Sequence, residues 1–137
     1  MKAFRELVER GIATGSLAGV EDLLADDVVF RSPVAHKPYP GKAITTAILN
    51  GVARVFEDLR YVGSIEEGNR SALLFETRIG DVTVNGCDFI TTNDEGLITE
   101  FTVMVRPMSG ATALMEAMAA QFPQIQADAA AFAEQQR

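Results

Sequence analysis

One cysteine, one histidine and no tryptophan among 137 residues each close off a class of protein. A lone Cys87 cannot form an internal disulfide, so a disulfide-stapled fold is excluded and a cytoplasmic setting is the plain expectation. Zinc and iron sites draw on several converging His and Cys ligands, and with one of each no metal centre is expected. Basic residues are scarce and scattered, with 12 Lys and Arg against 19 Asp and Glu. Binding to a phosphate backbone or an anionic bilayer needs clustered Lys and Arg, so neither nucleic acid nor a membrane is an expected partner. No apolar run approaches the ~20 residues that cross a bilayer, and Met1 to Glu6 mixes charges where a leader would be apolar. The glycine patterns that cradle phosphates are missing as well, so no nucleotide cofactor is expected.

What the chain does have is 47% apolar residues, enough for one domain with a real core. Phe4, Leu7, Val8 and Ile12 follow helical spacing up to Gly15, and Ser16 then caps a second short helix predicted over 17–25. Val28 to Arg31 reads as a brief strand ended by Ser32-Pro33, after which Pro33, Pro38, Pro40 and Gly41 force a loop. A long apolar stripe from Ile44 to Leu59, including Phe56, predicts the main helix. From Tyr61 onward the period changes to two, over 61–66, 72–79, 82–92 and 97–106, with turn residues between, as in an antiparallel meander. On the last strand Thr99, Phe101, Val103 and Val105 share an apolar face, predicted to meet the helices. Ile98, Glu100, Thr102 and Met104 share the other, too apolar for water alone, which predicts a homodimer through the outer sheet face. Beyond Pro107 a further helix is expected to stop at Pro123, dividing the chain into a domain over 1–122 and a helical tail over 123–137 anchored by Ile125, Ala129 and Phe132.

The run Asp26-Asp27-Val28-Val29-Phe30-Arg31-Ser32-Pro33 and the closing strand Gly96-Leu97-Ile98-Thr99-Glu100-Phe101-Thr102-Val103-Met104-Val105-Arg106-Pro107 resemble the nuclear transport factor 2-like superfamily, and within it the SnoaL-like, polyketide cyclase-like branch. The resemblance covers about residues 3–122 and implies an α+β, cystatin-like cone, a curved antiparallel sheet wrapped around the N-terminal and long central helices. It reaches single positions in the more distant ketosteroid isomerase branch. There the catalytic base falls on Ser32, whose hydroxyl cannot take a carbon-bound proton unaided, and the oxyanion tyrosine falls on Val8. The acid of the oxyanion pair matches Asp88, within Cys87-Asp88-Phe89-Ile90-Thr91-Thr92-Asn93-Asp94-Glu95-Gly96.

If its face points into the cone, Asp88 sits near Phe56, Phe101, Val103 and Val105. Burial without a cation would then keep it neutral as a hydrogen-bond donor, the role that a protonated aspartic acid plays in an apolar isomerase pocket. The alternative is an Asp88 that faces solvent or a bulge near Gly86. His36, in the Pro-rich loop, is a candidate base at the cone mouth, set against a solvated histidine. Tyr39 is a candidate lid or donor and Ser32 a candidate ligand contact, set against loop packing and a local backbone bond that ends the strand. Arg106 is expected to pair with an acidic neighbour, and Cys87 to be a small buried hydrophobe. Three functions follow: a cone that binds a small apolar carbonyl or phenol compound; an acid–base isomerase, cyclase or dehydratase, independent of cofactors, with Asp88 as acid and His36 as base; or a structural dimer module whose cone is filled by Phe30, Phe56, Phe75 and Phe101.

Overall fold

The structure, a computed structural model, describes residues 1–135. Helix α1 (Lys2–Thr14) buries Phe4, Val8 and Ile12 on one face. It ends at Gly15, whose φ of 80° turns the chain and lets its N–H donate to the Gly11 carbonyl. The predicted second helix is instead a single 3₁₀ turn (Val20–Leu23), and strand β1 (Leu24–Arg31) starts earlier than Val28. Its parallel pairing with the closing strand buries Leu24 and Ala25 and overrides the weak helix preference of so short a segment.

A two-residue strand β2 (Tyr39–Pro40) precedes helix α2 (Lys42–Val55). The helix ends before Phe56 and Leu59, which the sequence pattern had continued onto it; Phe56 caps the helix, and Leu59 lies in β3 (Glu57–Glu67). Both are buried, so the apolar signal was correct for burial and wrong for the element. Strands β4 (Arg70–Ile79), β5 (Val82–Thr92) and β6 (Ile98–Arg106) complete the meander. The six strands run in the order β2-β1-β6-β5-β4-β3, all pairs antiparallel except β1 with β6. A register shift between Thr91 and Thr92 turns Ile98 into the core, against the face predicted for it, while Phe101 stays inside as expected.

Helix α3 (Met108–Gln135) runs through Pro123 without the expected stop. A proline removes one backbone bond and costs about 3 kcal/mol in a helix interior. Packing offsets it: Ile125 is fully buried over Gly51 of α2, and Ala129 and Phe132 lie against the same core. Arg54 of α2 also donates to Gln121 at 2.6 Å and pairs with Asp128 at 3.5 Å. Residues 123–135 therefore continue the helix that rests on α2, and the last two positions of the 123–137 segment lie outside the described residues. No helix among the described residues is long and apolar enough to cross a membrane.

Candidate functional site

The core lies between the inner sheet face and the helices, and aromatic rings line it. Phe101 meets Phe4 and Phe30 with ring centroids 5.5 Å apart in each case, and Phe75 meets Phe56 at 5.9 Å. Phe75 lies directly on the backbone of Gly86, where any Cβ would collide with its ring. Among these rings an inner cavity of about 60 Å³ remains. That is room for a couple of waters or a polar head group, and short of the ~150 Å³ that accepts a benzene ring.

Asp88 faces this cavity. Its strand position opposite Leu73 of β4 and Val103 of β6 puts it on the inner face, 5% exposed. Burial pushes its pKa up to about 7, against the opposing pull of one hydrogen bond. That bond comes from Tyr61, whose hydroxyl donates to Asp88 Oδ2 at 2.8 Å. Tyr61 is held from both sides: its N–H donates to Glu9 of α1 at 3.0 Å, and its ring stands edge-on to Phe75 at 6.2 Å. Burial first, and then the neighbouring Asp88, raise the Tyr61 pKa well above its ordinary value, so it remains a donor. No cation among the described residues pairs with Asp88, and no cluster of them could hold a metal ion.

The remaining candidates divide. Phe56, Phe101 and Val103 line the cavity with Asp88, whereas Val105 packs against the core without lining it. Ser32 lines the cavity, and its Oγ also accepts the Val34 N–H at 3.2 Å, the local bond anticipated for it. Tyr39 lies in a second, outer groove of about 430 Å³ between the 32–39 loop and α3. His36 is exposed and lines neither space, so the structure does not bring it together with Asp88. Arg106 donates to the Asn85 amide at 3.4 Å rather than to the acidic neighbour expected. Cys87 is half-buried on the outer face, opposite Leu74 and Met104, and burial raises its thiol pKa away from the reactive thiolate.

Tyr61 was not among the residues singled out from the sequence. It opens a run of alternating residues like any strand tyrosine, and only the pairing of β3, β4 and β5 reveals that it lies two strands from an inward acid.

A curved sheet closed by helices around an apolar cavity with one buried acid defines a cone-shaped α+β domain of the NTF2-like, cystatin-like class. The chain belongs to the SnoaL-like domain family, which it matches over residues 4–101. Among solved structures it is similar to a steroid delta-isomerase from Pseudomonas aeruginosa, 44% identical over 85% of this chain and 86% of that one, with a TM-score of 0.79. It is also similar to an uncharacterized protein with a cystatin-like fold from Silicibacter pomeroyi DSS-3, 38% identical over 85% and 80% of the two chains, TM-score 0.78. An NTF2-like protein of unknown function from Mesorhizobium loti shares the fold at 18% identity, covering 74% and 89% of the two chains, TM-score 0.61. No curated protein matches the chain.

Proposed function

We propose that the cone binds a small apolar molecule through a carbonyl or phenol oxygen, with Asp88 and Tyr61 as the polar contacts. The observation that carries this reading is the acid itself: a carboxyl buried among aromatic rings, bonded to one hydroxyl, lining a cavity. Leaving a polar group in such surroundings costs free energy unless a partner satisfies it. A neutral Asp88 donates to a carbonyl oxygen, and its ionised form accepts from a phenol. The test is a thermal-shift titration with phenol and with a small cyclic ketone, comparing the wild type with Asp88→Asn and Tyr61→Phe. Stabilisation that both variants weaken supports the site; no stabilisation of the wild type sinks it and leaves the aromatic-filled cone as a structural core.

The likeness to a steroid delta-isomerase favours a second reading, acid–base catalysis. A carboxyl with a pKa near neutrality can give up and regain a proton at neutral pH, which suits proton transfer next to a carbonyl. With Ser32 at the expected base position and His36 outside the cavity, Asp88 is the acidic group available there. Turnover of a β,γ-unsaturated ketone that disappears in Asp88→Asn would establish this reading; binding without turnover would leave the protein a binder.

The outer sheet face supports a homodimer. Ile65, Leu74, Phe89 and Met104 are all exposed there, on adjacent strands. A second copy would cover this apolar surface. Sedimentation at the monomer mass across micromolar concentrations would count against it. A cytoplasmic setting accords with the single free thiol.

A further inference from the structure

We infer that the ligand is an elongated amphiphile, whose oxygen-bearing head reaches Asp88 while its apolar body lies in the outer groove beneath α3. This rests on the binding reading proposed above and specifies its ligand class. The inner cavity of about 60 Å³ admits a head group and little more, so a molecule whose oxygen reaches Asp88 must extend out of it. The way out is visible in the lining: Ser32, Val34, Ile48 and Met118 border both the inner cavity and the 430 Å³ groove. The two spaces are thus neighbours across one neck. Apart from Ser32 and Tyr39 the groove is apolar, and Met115 and Phe122 of α3 remain exposed along it. An extended hydrocarbon body fits that lining, and a charged or strongly polar body would lose hydration there without gaining partners.

Met118 of α3 is one of the side chains that border both spaces. An unbranched thioether side chain with several rotatable bonds can change rotamer without moving the helix that carries it, so the neck can widen as a ligand passes. Helix α3 supplies one wall of the groove through Met115, Met118, Ala119 and Phe122, and its passage through Pro123 extends that wall by Ile125.

The experiment titrates the full chain with phenol, para-ethylphenol, para-butylphenol and para-octylphenol, using calorimetry, alongside Phe122→Glu, Met115→Glu and Asp88→Asn. Expected are binding of phenol itself, an affinity that climbs by up to roughly fourfold per added methylene until the groove is full, and loss of that climb in Phe122→Glu and Met115→Glu. Asp88→Asn should weaken every member of the series alike. Equal affinity for phenol and para-octylphenol overturns the inference and leaves the binding reading intact. Failure of the whole series to bind overturns both. A climb with chain length that persists in both α3 variants and vanishes in Met104→Glu would place the alkyl chain on the outer sheet, which also overturns the inference. Sedimentation of the α3 variants closes the remaining route: a lowered oligomer mass would make the groove a subunit contact, contrary to the inference.

Discussion

Asp88 and Phe89 are consecutive residues on β5 that point to opposite faces of the sheet, and each is on the face that its chemistry would ordinarily avoid. Asp88, an acid, is buried among rings, while Phe89, a ring, is 43% exposed. A strand offers no choice about alternation, so the sheet as a whole could have been read one residue out of step. It is not: Ile90 and Phe101 are inside with Asp88, and Asn85 and Thr91 share the outer face with Phe89. The two exceptions are therefore local and carry different meanings. A buried acid asks for a small partner inside the cone, and an exposed ring for a large one outside it.

The sharpest way to break this comparison is to truncate a ring on each face. Phe101→Ala should cost about 3–5 kcal/mol in denaturant unfolding, because it opens a cavity where three aromatic rings meet. Phe89→Ala in dilute solution should stay within about 1 kcal/mol of wild type, since water already reaches the ring. Similar losses at both sites would mean that the outer face is as firmly packed in one subunit as the inner.

A somewhat smaller effect should come from Asp88 and depends on pH. Its folded pKa of about 7 is raised above the ordinary carboxylic value of ~3.9, so the native state holds the proton more tightly than the unfolded chain. Stability is then fully present below about pH 4 and declines as pH rises towards about 7, by at most about 4 kcal/mol, before levelling off. Asp88→Asn should flatten that slope. A wild-type stability that rises across the same window would show that the carboxyl is not held neutral in the fold.

The smallest change in subunit stability is expected from Met104→Glu on the outer face, within about 0.5 kcal/mol, together with the largest change in mass. Met104 is 58% exposed and adjoins Cys87 across the strand pair, so a carboxylate there meets water in a monomer and an apolar surface in a dimer. Equilibrium sedimentation should find the variant shifted to the monomer mass; an unchanged dimer would move the contact elsewhere.

How much of this was legible in the sequence depends on whether local or distant residues decide it. The change from helical to alternating spacing at Tyr61 located the meander, because each strand states its own period. The parallel pairing of β1 with β6 was not legible: the partners are far apart in the chain, and pairing rather than local preference made residues 24–27 a strand. Pro123 misled for the same reason, since the contacts that hold the helix together there lie on α2. In the site, Asp88 was reached through family resemblance and strand alternation. Tyr61 required the pairing of three strands, with a register shift between Tyr61 and Gly63, before its hydroxyl could be aimed at anything.

The missing side chain at Gly51 bears on how this domain could diverge. A methyl group added there would stand 2.8 Å from Ile125 Cδ1 and 3.0 Å from its Cγ1, on the surface where the two long helices touch. Gly51 itself faces neither the inner cavity nor the outer groove, yet the spacing it permits decides how closely α3 approaches both. It acts as a shim whose thickness is set by one carbon atom, so descendants of this sequence could be refitted to bulkier guests without altering a single residue that touches them.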